Sequence, residues 1–459
     1  MTHQFNPTIL REYDIRGIVG DTLTEADAYA LGRSYGALAA EEGAQRIAVG
    51  RDGRSHSGML EAQLVRGLTD SGLNAVMIGQ GPSPMLYFAT YHLDVDGGIQ
   101  VTGSHNPADY NGFKMLLKGR SVFGAEIQSL GSRCAAGQWV EGHGRVEDVD
   151  VSEAYVSRLV EDFAGGDFRI GWDAGNGAAG PILDRLVDRL PGEHFTIFTD
   201  VDGTFPNHHP DPTVEANLAD LKRLVADKSL DFGIAFDGDG DRIGAVDGQG
   251  RVIWGDQLMM ILSQPVLKEM PGATIIADIK ASQIFFDRVA ELGGTPLMWK
   301  TGHSLIKSKM KETQAPLAGE MSGHIFFKHR WYGFDDALYA AVRLIEAVAE
   351  SGKSLTQLMD EMPKTTATPE LRFPVEESRK FAVVEEVLER LSNDGAKVDP
   401  TDGARVNTED GWWLLRASNT QAVLVARAEA TDDAALQRLV QQLDDQLAKS
   451  GVRRSEAAH

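Results

Sequence analysis

The chain has 459 residues, 42% of them apolar and 24% charged, the balance of a soluble globular protein; it is too long for one hydrophobic core, so two to four domains are expected. Sixty-seven acidic against 45 basic residues leave a formal charge of −22, which argues against nucleic acid as a partner. A single cysteine, Cys134, excludes an internal disulfide and fits a reducing compartment, and no run approaches the ~18 apolar residues of a membrane span.

The opening stretch MTHQFNPTILREYDIRG has no apolar core long enough for a signal peptide, so a cytoplasmic protein is expected. In its REYDIRG segment an extended backbone would aim Tyr13 and Ile15 one way and Asp14 and Arg16 the other, and a surface ion pair between Asp14 and Arg16 is the plain reading. Three stretches then look like versions of one unit. The first runs from the strand RIAVGRDGR (46–54) through a helix near 57–72 and a strand at 74–79. The second runs from FRIGWDAGNGA (168–178) to DFGIAFDGDGDR (231–242), with helices near 179–190 and 214–227. The third runs from ATIIADIKAS (273–282) to APLAGEMSGH (315–324), with helices near 283–292 and 303–311. Each opens with an apolar strand ending near an aspartate (Asp52, Asp173, Asp278) and finishes with a strand feeding a glycine-containing loop. Apolar strands alternating with helices predict mainly parallel sheets, whose ligands bind beyond the carboxyl ends of the strands. A long helix ending before Pro363 marks a last boundary, and beyond it the pattern changes to a helix near 377–392, short strands with turns over 404–430 and a helix near 432–448. The fold class expected is α/β: three similar mixed-sheet domains and a smaller α+β C-terminal domain around a central cleft. The boundaries are 1–149, 150–251, 252–364 and 365–459.

Four loops carry chemistry. In QVTGSHNPADYNGFK (100–114) a short strand runs into a turn that places Ser104 on a strand end, where a hydroxyl can accept and return a phosphoryl group; Gly103 is expected to let the backbone turn. The alternative is a turn in which Ser104 bonds only its own backbone. His105 would orient Ser104 or its phosphate. In DGDGDR, Asp237, Asp239 and Asp241 alternate with glycines, and three carboxylates so close need a cation. Oxygen donors suit Mg²⁺ or Ca²⁺, and an EF-hand fails because Arg242 and Gly248 stand where Gly and Glu are needed. In GEMSGH, Glu320, Ser322 and His324 alternate, and a carboxylate and a hydroxyl two residues apart can grip neighbouring sugar hydroxyls. In RASNT, Arg416, Ser418, Asn419 and Thr420 at a turn between strands make a phosphate cradle. A phosphate-bearing substrate needs a basic cleft in this acidic body, for which Arg16, Lys114, Lys118, Arg242, Lys280, His303, Arg416 and Arg427 are the candidates. Either Lys114 or His303 would serve as the general acid/base.

TGSHNP, DGDGDR, GEMSGH and RASNT, with REYDIRG before them, occur in one order across almost the whole chain. This set resembles the α-D-phosphohexomutase superfamily, and within it the bacterial phosphomannomutase/phosphoglucomutase group. One departure is Gln421-Ala422, where many relatives continue Glu-Pro after Ser-Asn-Thr. The resemblance implies a phosphorylated Ser104 that shares Mg²⁺ with Asp237, Asp239 and Asp241, assisted by Arg242. It implies Tyr13, Arg16 and Lys280 lining the cleft, and Glu320 and Ser322 on the sugar's 3- and 4-hydroxyls. A site that grips those two hydroxyls ignores the 2-position, where mannose and glucose differ. The implied reaction moves a phosphoryl group between C1 and C6 of a hexose phosphate through a 1,6-bisphosphosugar, with glucose 1,6-bisphosphate as activator and a monomer or weak homodimer as the working form. The alternatives are a phosphoglucosamine mutase, a non-catalytic sugar-phosphate-binding protein and a Mg²⁺ phosphatase that releases phosphate to water.

Overall fold

The computed structural model describes residues 2–419 and 421–453. Three mixed sheets and one antiparallel sheet follow one another along the chain. The same four-strand unit recurs in the first three. Its first strand (Arg46–Arg51, Phe168–Asp173, Thr274–Asp278) is central. The second strand (Asn74–Gln80, Gly192–Ile197, Thr295–Trp299) and the third (Gly97–Val101, Phe232–Phe236, Leu317–Gly319) pair parallel on either side of it. The fourth (Tyr110–Leu117, Ile243–Asp247, Ile325–Phe327) pairs antiparallel with the third. The third strand is buried along its whole length in every unit, because helices cover both sheet faces and leave no polar side to alternate toward.

This topology sets the site. The chain leaves the third strand at its carboxyl end and must return at once as the fourth, so a tight connection falls at the ligand-binding end of each sheet. That connection is the Ser104 loop in the first unit, the Asp237–Arg242 loop in the second and the Glu320–His324 loop in the third. A bridge between Arg242 and His324 joins the last two.

The first domain adds the helix Glu25–Glu41, opened by a capping box in which Thr24 and Asp27 exchange side-chain and backbone hydrogen bonds. The long helix expected before Pro363 is two, Ala337–Ser351 and Leu355–Asp360. Gly352 turns left-handed (φ 66°) between them, and Ser354 caps the second. The C-terminal domain is an antiparallel sheet covered by the helices Lys380–Asn393 and Asp433–Lys449. Its functional loop joins the strands Gly411–Ala417 and Val423–Ala430. Arg405, fully buried, docks this domain on the third: its guanidinium stacks 3.8 Å from the Trp412 ring and donates to the carbonyls of Ile279 (2.5 Å) and Ala281 (2.8 Å). No helix among the described residues is long and apolar enough to cross a membrane.

Asp336, at the start of Ala337–Ser351, is fully buried and accepts from Tyr339 N–H and Tyr155 O–H, each at 2.9 Å. Burial raises its pKa to about 7 against those hydrogen bonds. With a folded value above the unfolded one, the contribution of Asp336 to stability is fully present at low pH and is lost as the pH climbs from about 4 to about 7, by up to ~4 kcal/mol. Asp336→Asn should therefore gain in melting temperature relative to wild type between about pH 4.5 and pH 8; a difference that does not change with pH would reject this assignment.

Candidate active site

The strand Gly97–Val101 delivers a serine that is 3% exposed. Thr102 Oγ1 accepts from Ser104 N at 2.8 Å, and Ser104 Oγ lies 3.2 Å from both His105 Nδ1 and Asp237 Oδ2. The expected role of Gly103 is corrected: the left-handed residue of this turn is Ser104 itself, at φ 49°. That conformation costs a non-glycine residue about 1–2 kcal/mol, so the surroundings must impose it. Gly103 is needed for space, since a Cβ there would lie 2.3 Å from the Arg54 guanidinium.

Asp237, Asp239 and Asp241 are fully buried, with carboxylate oxygens within 4.8 Å of one another. The loop closes on itself, Asp237 Oδ1 accepting from the main-chain N–H groups of Asp241 (3.0 Å) and Arg242 (3.1 Å). Lys114 reaches in from the first domain to donate to Asp239 (2.6 Å) and to Asp241, and Ser83 Oγ donates to Asp239 at 2.5 Å. Burial and the two neighbouring carboxylates push the Asp237 pKa well up, whereas Lys114 and His324 hold Asp241 well down despite its burial. Burial lowers the Lys114 pKa, but Asp239 and Asp241 outweigh it and keep the ammonium charged well above lysine's ordinary value. Oδ1 of Asp239 is buried without a hydrogen-bond partner, and Asp241 Oδ1 faces His324 Nε2 at 3.2 Å. All-oxygen, and with ligand atoms that lie within 4.8 Å of one another, this set fits a hard divalent cation.

In the third domain Glu320 Oε1 accepts from Gly302 N at 2.6 Å, while its Oε2 lies 2.9 Å from His324 Nδ1. Ser322 Oγ is 3.2 Å from the same nitrogen. Burial lowers the His324 pKa, but Asp241 and Glu320 carry it up to about 9. His303 opens the helix His303–Thr313 with its ring 5.8 Å from that of His324. Burial, then Lys307 and Lys114, push His303 well below histidine's ordinary value, and its Nδ1 has no hydrogen-bond partner. Asp335, which the sequence reading passed over, lies 3.8 Å from His303 Nδ1 and accepts from Lys307 at 2.9 Å. Asp278 receives Met321 N at 3.2 Å, so the aspartate after the first strand braces the loop.

Two expectations for the N-terminal segment change. The strand covers only Ile15–Ile18, so the alternation does not extend to Tyr13, and Tyr13 and Arg16 both reach the cleft. Tyr13 O–H donates to Thr301 O (2.7 Å) and accepts from Asn419 Nδ2 (2.5 Å), tying three domains together. The Asp14–Arg16 pair exists but is buried, and Arg16 Nη1 also donates to Gly103 O (2.8 Å) and Asn106 Oδ1 (2.6 Å). Arg416 Nε donates to Asp402 Oδ2 at 2.9 Å, and Ser418 Oγ accepts from Gln421 N at 3.2 Å; Thr420 lies outside the described residues. Lys280 faces Glu370 (3.4 Å) and Asp278 (3.9 Å). Lys118 leaves the basic set: it caps Asp96 on the surface at 2.5 Å. Arg427 is buried between the third and fourth domains, where it donates to Lys280 O.

Against known proteins, four family models match in succession: phosphoglucomutase/phosphomannomutase alpha/beta/alpha domain I at residues 7–139, domain II at 153–250, domain III at 254–366 and the C-terminal domain at 370–446. The chain is 45% identical over 434 residues, 94% of either chain, to a phosphomannomutase/phosphoglucomutase of Pseudomonas putida. It is 44% identical over 436 residues, 94% of this chain and 95% of the other, to a phosphoglucomutase of Neisseria gonorrhoeae. A crystal structure of a phosphoglucomutase/phosphomannomutase family protein from Burkholderia thailandensis superposes with a TM-score of 0.92 at 42% identity, covering 99% of both chains.

Proposed function

The chain belongs to the phosphoglucomutase/phosphomannomutase family, and from that premise we propose how its loops divide the reaction. The protein is a mutase that interconverts the 1- and 6-phosphates of a hexose, glucose or mannose. The observation that carries the division of labour is the meeting of Ser104 Oγ with Asp237 at 3.2 Å across a domain boundary, at the carboxyl ends of two sheets.

Phosphorylated Ser104 is the donor. A sugar hydroxyl oxygen bonds to its phosphorus as the bond from phosphorus to Ser104 Oγ breaks, and the hydroxyl proton passes in balance to Ser104 Oγ. The bisphosphosugar turns over, and its other phosphoryl group returns to Ser104 by the reverse exchange. Asp237, Asp239, Asp241 and a phosphate oxygen on Ser104 would hold Mg²⁺, which supplies charge neutralisation at the transferring group. Arg16, Arg242 and Lys114 add fixed positive charge around it. Glu320 and Ser322 take the sugar hydroxyls, and Arg416, Ser418, Asn419 and Thr420 the distal phosphate. Tyr13 and Lys280 line the cleft between them, and His105 orients the serine.

The proton relay is assigned to His324 rather than to Lys114 or His303. Glu320 orients its Nδ1 and, against burial and together with Asp241, carries its pKa to about 9, so the imidazolium can give a proton and take one back, while Lys114 is locked as an ammonium between two carboxylates, well above lysine's ordinary value. His324→Ala should lower kcat by roughly 10²–10⁴-fold. It should leave Mg²⁺-dependent thermal stabilisation in place; a variant within a few-fold of wild type would reject the role.

The function is tested by ³¹P NMR of α-glucose 1-phosphate and α-mannose 1-phosphate, each with the protein, Mg²⁺ and a trace of glucose 1,6-bisphosphate as the priming activator. Both 6-phosphates should appear without inorganic phosphate. Inorganic phosphate alone would indicate a phosphatase. Failure with both sugars, but conversion of glucosamine phosphate, would indicate the amino-sugar mutase.

A further inference from the structure

The residue that shapes the serine loop lies outside all of the motifs. Arg54 follows the first strand of the first unit and is 3% exposed. Its Nη2 donates to the carbonyls of Ser104 (2.7 Å) and Asn106 (2.6 Å), and its Nη1 donates to those of Tyr110 (3.0 Å) and Pro107. One guanidinium thus gathers four main-chain oxygens of the loop. Asp52 holds it from behind: Oδ2 accepts from Arg54 Nε (3.2 Å) and from Gly103 N (3.0 Å), and Oδ1 accepts from Ser57 Oγ (2.5 Å). Phe205, from the second domain, lays its ring 5.1 Å from the guanidinium carbon and covers it. The equivalent positions of the other units behave differently. Two residues after Asp173 stands Gly175, and two after Asp278 stands Lys280, whose ammonium faces Glu370 and Asp278.

We propose that Arg54, seated on Asp52, is a positioning residue for phosphoryl transfer: it holds the main chain of residues 104–110 so that Ser104 stays left-handed with Oγ on the Asp237 side. The inference rests on Ser104 being the phosphoryl carrier. Ser104 at φ 49° is a strained conformation, and its carbonyl is fixed by the same nitrogen that fixes Asn106 two residues on. Released from that fork, the peptide can relax toward negative φ and carry Oγ away from Asp237. Only a planar fork of five donors satisfies four carbonyls at once; the ammonium of a lysine has three donors on one point.

The test uses the full-length enzyme with Mg²⁺ and glucose 1-phosphate. Arg54→Lys should lower kcat by about 10²-fold, the cost of a misplacement of roughly an ångström. KM should stay within about threefold, because the sugar and distal phosphate are held on the third and fourth domains. Phosphorylation of Ser104 by glucose 1,6-bisphosphate, followed by intact mass, should slow in step with kcat. Millimolar guanidinium should restore part of the rate to Arg54→Gly. Should the Arg54 variants fail to fold, Asp52→Asn keeps the shape and loosens the brace, and should lower kcat about tenfold at unchanged KM. A lysine variant with wild-type kcat overturns the proposal. So does a kcat loss matched by KM, with no rescue by guanidinium, which marks a merely structural arginine. An inactive wild-type enzyme would instead strike the functional reading on which the proposal stands.

Discussion

Ser104→Ala should abolish hexose phosphate interconversion, lowering kcat roughly 10⁴-fold or more, as loss of a covalent nucleophile does elsewhere. The effect is this large because nothing near Ser104 can substitute for it. His105 Nδ1 and Asp237 Oδ2 both lie 3.2 Å from its Oγ, and neither can carry the phosphoryl group at the same point. The substitution is also a clean one. Ser104 Oγ makes no contact that holds the loop; Arg54, Arg16 and Asp52 hold it through the main chain. Alanine must still adopt φ 49°, so Ser104→Gly, which is at ease there, should melt above Ser104→Ala while being equally inactive. The decisive reading is mass spectrometry after incubation with glucose 1,6-bisphosphate. Wild type should gain one phosphoryl group and both variants none. A variant that still takes up phosphate and turns over would remove Ser104 from the mechanism.

The parts of the fold that could be read from the sequence are those set by local chemistry. Apolar runs ending in Asp52, Asp173 and Asp278 announced three strands of one kind, and the glycine-rich stretches at 103, 238–240 and 319–323 announced the loops that follow them. The capping box at Thr24 and Asp27 was equally legible and was passed over, and the helix Glu25–Glu41 with it. What could not be read depends on residues far apart in the chain. Lys114 lies 125 residues from Asp239, and only the packing of the first domain on the second puts its ammonium among the aspartates. Lys118, four residues on and of the same type, ends on the surface at Asp96. Arg54 could not be chosen from a stretch rich in arginine, because its partners are backbone carbonyls, which are alike in every sequence. Gly103 shows the same limit: its glycine answers to a guanidinium 49 residues away in sequence, not to its own turn.

The aspartate cluster carries the second large effect. Lys114 bonds Asp239 and Asp241 but not Asp237, where burial and the two neighbouring carboxylates disfavour a charge until a cation joins the site. Asp237→Asn removes the carboxylate whose charge the fold disfavours and one cation ligand together. Two results should therefore move in opposite directions. Without divalent metal, the variant should melt at or above wild type, because burial and like-charge repulsion from Asp241 and Asp239 no longer act on a carboxylate at 237. With millimolar Mg²⁺, wild type should be stabilised by roughly 2–4 kcal/mol if the ion is present at 10²–10³ times its dissociation constant, and the variant hardly at all. Activity at saturating substrate should fall about 10³-fold. Differential scanning calorimetry across a Mg²⁺ series reads the first two quantities and needs no substrate, so a failure of catalysis cannot be mistaken for a failure of binding. If the variant tracked wild type across the series, the cation would have to sit elsewhere, and the three aspartates would be a charged brace for Lys114. If the variant lost its Mg²⁺ response and melted well below wild type without metal, the repulsion argument would fail and the bonds that Asp237 Oδ1 accepts from the main chain of Asp241 and Arg242 would outweigh it.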